Sequence, residues 1–223
     1  PVVSTTTFTD YDDAIRIAYV RLALRHGSLG NDFHAYHNEG HILDILDGRI
    51  GRLIETHGIF VLGLREWCAL NLFAGCHDLR QREEAAYQAG VGANERASIE
   101  ETFRLLDACG FSRTADADLY RALDLMIAGS TFDARPPPGG AAFNAAELVQ
   151  SGGAMAAQLA QKLDKHSPGW REDAGMVQAH ALALVAADLD TANVAEPFVR
   201  FAGSAENLCL EREMLCQRDL DAS

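Results

Sequence analysis

Three short stretches of this sequence carry ionisable, metal-competent side chains against an apolar background: Tyr36-His37-Asn38-Glu39-Gly40-His41, Cys76-His77-Asp78 and Ala187-Asp188-Leu189. His41, His77, Asp78 and Asp188 offer two imidazoles and two carboxylates, a donor set suited to a divalent first-row ion that keeps coordination positions for water. His37 and His41 are four apart and share one face if the stretch is helical, a spacing that surface and capping histidines also produce. The adjacent pair His77-Asp78 says more. It ends an apolar run, where burying two ionisable groups costs on the order of several kcal/mol unless a metal or hydrogen-bond partner compensates. Asp188 closes a second apolar run, Leu182 to Ala187, where a solvated acid at a helix end is the plain alternative. Asp190 follows the same run and is the alternative last ligand.

The elements that must position these groups are helices. Apolar residues recur at three- and four-residue intervals almost everywhere, and strand alternation is absent. Helices are expected over about Tyr11–His26, His37–Thr56, Leu64–Asp78, Asn94–Cys109, Ala115–Ala128, Ala142–His166 with a break near Gly152-Gly153, Arg171–Leu189 and Glu196–Arg218. The third is apolar on most sides through Trp67, Ala69, Leu70, Leu72, Phe73 and Ala74, so it belongs at the centre with His77 and Asp78 at its inner end. Pro136-Pro137-Pro138-Gly139-Gly140 is incompatible with helix and reads as a surface loop or lid, with Arg135 placed to close over a substrate. The expectation is an all-α bundle of about eight helices forming one domain over 1–223.

Composition bounds the function. With 223 residues, 48% hydrophobic and 23% charged, the chain is long enough for a sizeable core. No apolar run approaches the roughly 18 residues needed to span a bilayer. Pro1 to Thr9 shows no basic region followed by an apolar block, so a cytoplasmic protein is the simplest expectation. A formal charge of −13 argues against a nucleic-acid polymer or an anionic membrane surface as partner. A small phosphorylated molecule stays compatible, because a metal and a few arginines set the potential inside a pocket. Arg80, Arg82 and Arg96 lie near the histidine-aspartate pair in sequence and suit bidentate phosphate binding. Cys68, Cys76, Cys109, Cys209 and Cys216 lack paired CxxC spacing and read as free thiols.

Taken in order, Tyr36-His37-Asn38-Glu39-Gly40-His41-Ile42, Phe73-Ala74-Gly75-Cys76-His77-Asp78, Asn94-Glu95-Arg96-Ala97-Ser98 and Ala187-Asp188-Leu189 resemble the successive signatures of HD-domain metal-dependent phosphohydrolases. The closest likeness is to those with YHNxxH, HD, NExxS and DL motifs, and the first block is also similar to that of cyclic-nucleotide phosphodiesterases. The resemblance spans about residues 33 to 190, with the C-terminal helix at about 196–218 outside it. It implies an HD-type all-helical fold in which His41, His77, Asp78 and Asp188 bind one divalent ion, which is manganese, iron, nickel, cobalt, zinc or magnesium. The Asp-Leu pairing favours Asp188 over Asp190. It implies further that His37 protonates a leaving oxygen, that Asp78 belongs to the catalytic centre, that Asn38 orients the imidazole or the phosphate, and that Asn94 and Glu95 support a ligand from behind. Capping of a helix is the competing role for Asn94, and Glu39 is expected to face solvent.

The activity so implied is hydrolysis of a phosphomonoester or phosphodiester of a small nucleotide-like substrate by a metal-activated water. Between the HD pair and the last aspartate only His166 and His180 occur, and neither is well placed for a second metal. A non-catalytic module of the same fold that binds a nucleotide or a partner protein is therefore the rival reading, and a two-iron oxygenase on the same scaffold is the third. A homodimer through the apolar face of the last helix is the expected assembly.

Overall fold

The computed structural model describes residues 4–81, 92–133 and 153–221. Its helices are α1 (Phe8–Arg25), α2 (Glu39–Leu43), α3 (Gly51–His57), α4 (Leu64–Cys76), α5 (Ala93–Ala108), α6 (Ala117–Ser130), α7 (Ala156–His166), α8 (Ala174–Thr191) and α9 (Phe198–Asp221). A π-helical stretch, Asp44–Ile50, fuses α2 and α3 into one rod, so the described residues form eight helical units and the all-α expectation holds. Extended pairing among the described residues is a two-residue antiparallel ladder, β1 (Phe132–Asp133) with β2 (Gly153–Ala154). Between them, the expected proline-rich loop with Arg135 and the first part of the sixth expected helix lie outside the described residues, as does Arg82. No helix among the described residues is long and apolar enough to cross a membrane.

α4 is the axis of the core. It buries Trp67, Ala69, Leu70, Leu72, Phe73, Ala74, Gly75 and Cys76, as an element apolar on nearly all sides must. Around it pack α1, α5, α6 and α8. Small residues set the approach distances: a Cβ on Gly75 would stand 3.4 Å from the Ala18 Cβ of α1, and one on Gly129 would stand 3.5 Å from Ala156 and 3.6 Å from Ala183. Those contacts draw α6, α7 and α8 together, and among the described residues α6 with α8 is the most extensive helix pair.

Local sequence chemistry fixes the ends. Thr7 and Asp10 form a reciprocal capping box that starts α1. The Glu39 carboxylate, expected at the solvent face, turns back instead to accept from the Ser28 N–H at 3.0 Å and from the Ser28 hydroxyl. It fills space beside Gly27, where a Cβ would also stand only 2.7 Å from the Ala23 Cα, a backbone atom that cannot swing aside. Cys68, Cys76, Cys109 and Cys209 carry free thiols, while the Cys216 side chain lies outside the described residues.

Candidate metal centre

His77 is the C-cap residue of α4, and its ring is buried. Nδ1 lies 3.2 Å from the Phe73 carbonyl and 3.3 Å from that of Ala74, and both oxygens are acceptors only. The Nδ1 proton is thereby committed to the helix that carries the ring, and Nε2 presents its lone pair outward. Asp78 follows. Its Oδ1 accepts from the Gln81 amide at 2.7 Å, which turns Oδ2 towards the histidines.

His41, in α2, sets its Nε2 3.0 Å from Asp190 Oδ1 and 3.7 Å from Asp78 Oδ2. His77 Nε2 stands 3.4 Å from the same Asp190 oxygen and 3.1 Å from Asp78 Oδ2. Three donor atoms from distant parts of the chain, on His41, His77 and Asp190, therefore lie within 4.8 Å of one another, and Asp78 Oδ2 faces the two histidines from beside them. An ion with bonds of about 2.1 Å keeps its ligands roughly 3.0 Å apart in octahedral and roughly 3.4 Å apart in tetrahedral geometry, and these separations bracket both. Burial adds a second observation: His77 Nε2 and Asp78 Oδ2 are inaccessible to solvent and, though 3.1 Å apart, form no well-aligned hydrogen bond. A cation beside the two would satisfy both more fully than they satisfy each other. His41, His77 and Asp190 are grouped closely enough to hold a metal ion.

The last ligand is a correction. Asp190, not Asp188, meets the histidines. Asp188 is exposed on the other side of α8, lining a shallow depression with Arg52, His57 and Glu196. The reason is helical phase. Asp190 falls three and four residues after the buried Ala187 and Ala186, whereas Asp188 falls four after the exposed Leu184. Arg49, buried in the π-helical stretch, donates from Nη1 to the Leu189 carbonyl at 2.7 Å and also to that of Asp190. A cation thus closes the C-terminal end of α8 and fixes the aspartate's backbone.

His37 is a second correction. It does not lie one helical turn before His41, because Asn38 is the N-cap of α2 and the helix begins at Glu39. The Asn38 carbonyl oxygen accepts from the Gly40 N–H at 2.8 Å, and its amide nitrogen donates to the His34 carbonyl at 2.7 Å. Both ends of that side chain therefore hold the fold. His37 sits in the preceding loop, its ring 6.2 Å from that of His41, with Tyr36 packed 4.8 Å from each. Its Nδ1 lies 2.6 Å from Glu211 Oε1. Glu211 comes from α9 and is buried. Its Oε2 accepts from the Tyr36 and His37 N–H groups at 2.8 and 2.9 Å, while Oε1 also faces His34 Nδ1 at 3.2 Å.

Charge follows this geometry. Burial opposes the imidazolium of His37, yet the Asp78 carboxylate and the hydrogen bond to Glu211 raise its pKa to about 9. Burial likewise opposes charge on His77, and Asp78 and Asp190 overcome it to hold the pKa well above the ordinary value. For Asp78 burial works upward, but His77 and His37 lower its carboxyl to about 2.

The NExxS block lies against the same site. Asn94 donates to Gln81 Oε1 at 3.0 Å and so reaches Asp78 through one intervening amide. Glu95 has its pKa raised by burial and by the nearby Asp78 charge. Ser98, fully buried, accepts from the Arg80 N–H at 3.0 Å and donates to the Arg80 carbonyl at 3.2 Å, clasping the backbone just after the HD pair. Arg80 itself is half-buried and Arg96 is exposed. Sequence reasoning passed over Glu211, Arg49 and Gln81. For Gln81 the three-residue spacing from Asp78 was the available signal.

Comparison of the chain with protein-family models finds no match, and comparisons with curated proteins and with solved structures find none either.

Proposed function

We propose that the chain is a metal-dependent phosphohydrolase that acts on a phosphomonoester or phosphodiester of a small molecule, with one divalent ion held by His41, His77, Asp78 and Asp190. The observation that carries this reading is the convergence of His41, His77 and Asp190, with Asp78 facing both histidines, beside a histidine braced by a carboxylate. When bound, such an ion supplies a water of lowered pKa and withdraws charge from a phosphoryl oxygen. The protein does the rest. His37 carries a proton at neutral pH, and because Nδ1 is committed to Glu211, Nε2 is the nitrogen from which a proton passes to the leaving oxygen. Glu211 holds that ring in orientation through the backbone on either side of it as well as through the imidazole. Arg80 and Arg96, flanking Asp78 and Glu95 in sequence, are the residues proposed to meet the phosphate. The nucleotide-like character of the substrate rests on the motif resemblance. Two imidazoles favour a transition ion such as manganese, iron, nickel, cobalt or zinc over magnesium.

The test is metal analysis of the purified protein together with phosphoester turnover in added manganese, nickel, cobalt or magnesium. A folded His77→Ala/Asp78→Ala variant is expected to lose bound metal and turnover together. Normal turnover by that variant would sink the reading.

A further inference from the structure

A second group of donors lies behind the catalytic loop. His26, the C-cap residue of α1, and His34 are both almost completely buried, and their rings lie 4.3 Å apart. The loop between them is closed by the His34 N–H, which donates to the His26 carbonyl at 2.8 Å. Asp32, on that loop, places Oδ2 3.2 Å from His26 Nδ1 and 3.4 Å from His34 Nε2, with 45% of its side chain exposed. The three atoms lie within 4.8 Å of one another. His26 Nδ1 also faces the Asp32 carbonyl at 3.3 Å, so binding an ion there requires that nitrogen to give up its proton.

We propose that His26, Asp32 and His34 form a second divalent-cation site, of the kind filled by zinc, which pins the loop carrying His37 to the end of α1. The separations carry the assignment. They are long for hydrogen bonds to a carboxylate, which run about 2.7–2.9 Å when charge-assisted. They match the edge of a tetrahedron with bonds of about 2.0–2.1 Å, roughly 3.3–3.4 Å. A second feature is independent of them. His34 Nδ1 faces the buried Glu211 carboxylate at 3.2 Å, so the ring's other nitrogen is oriented towards Asp32 in the carboxylate–histidine arrangement that supports metal ligands from behind. The neighbouring group of His34, His37 and Glu211 does not share this geometry: the 2.6 Å between His37 Nδ1 and Glu211 is too short for two ligands of one ion and is a hydrogen bond. The exposed edge of Asp32 gives an ion its entry, and three protein ligands leave one position for water.

The site does not depend on the phosphohydrolase reading, and its test separates the two. Zinc is titrated calorimetrically into the metal-free full chain, with cobalt(II) absorption as a second readout of four-coordinate geometry. The natural chain is expected to take up two equivalents, Asp32→Ala one, His77→Ala/Asp78→Ala one, and the combined variant none. Glu211→Gln is expected to weaken the Asp32-dependent equivalent by roughly 10–100-fold. Asp32 is half exposed, so its removal is not expected to unfold the chain. Asp32→Ala therefore decides by itself: zinc uptake unchanged by it, or no uptake by the natural chain, overturns the proposal. A natural chain that takes up one equivalent and loses it with Asp32→Ala sustains this site while removing the first.

Discussion

Asp188 and Asp190 are two residues and about 200° of helix apart, and that angle separates a candidate ligand from a surface acid. Replacing Asp190 by Asn should weaken metal binding by more than the roughly 10–100-fold that an outer-shell partner is worth, while Asp188→Asn should leave it unchanged. Equilibrium dialysis with manganese on the two variants checks this. His37 supplies the second residue-scale expectation. A proton donor must be charged to act, so turnover should fall as pH rises through its pKa, raised to about 9 mainly by Asp78 and Glu211 against the opposing effect of burial. A bound cation offsets Asp78, which leaves Glu211 as the chief support of that charge. Glu211→Gln should therefore move the alkaline limb of the pH–rate profile to lower pH and leave the acid limb in place. An unmoved alkaline limb would mean that Glu211 only holds the backbone.

At the level of elements, the contact between α9 and the loop that carries His37 is a charge pair with its own pH dependence. Burial works against both charges, but hydrogen bonds from His34 and His37 hold the Glu211 carboxyl well below its ordinary 4.5, and His37 is raised above its ordinary 6.5. The Glu211 contribution is thus present above 4.5 and lost as pH falls further. The His37 contribution is complete below 6.5 and lost as pH rises towards 9. Amide protection in α9 should peak between about pH 5 and 6.5 and decline on the alkaline side, a decline that Glu211→Gln should flatten. Arg49 ties a different element: Arg49→Met should cost about 1–3 kcal/mol by leaving the Leu189 and Asp190 carbonyls unpaired, measurable by urea denaturation. These two residues also mark where the sequence stopped being legible. Helical periodicity disclosed α1, α4, α5, α6 and α8, because each buries a repeating face. Asn38 before Glu39 was a readable cap that moves His37 off the helix. Arg49 is buried by a π-helical stretch, which adds a residue per turn and breaks the 3.6-residue pattern. Glu211 is one acid on a largely exposed helix, and only closure of the whole chain brings it to a loop 174 positions earlier.

For the whole molecule, the donors at positions 41, 77, 78 and 190 belong to the start of one rod and the ends of two core helices, so an ion there would cross-link most of the bundle. The unfolded chain cannot assemble that geometry, and any binding confined to the folded state must appear as global stability. At a free ion concentration of about 100 times Kd the gain is about 2.7 kcal/mol. For a chain of this size each kcal/mol moves the unfolding midpoint by about 2–4 °C, giving an expected rise of about 5–10 °C over the chelator-treated protein in scanning calorimetry. The same titration should leave Asp188→Asn indistinguishable from the natural chain and should remove most of the rise in Asp190→Asn. The long-range separation of the candidate ligands gives the effect its character: a single cooperative transition should move as one, because α4, α8 and the π-helical continuation of α2 share one core and an ion at the site would tie them together. Two transitions, only one of them metal-dependent, would place the ion on a locally unfolding segment instead of at the junction of the core helices.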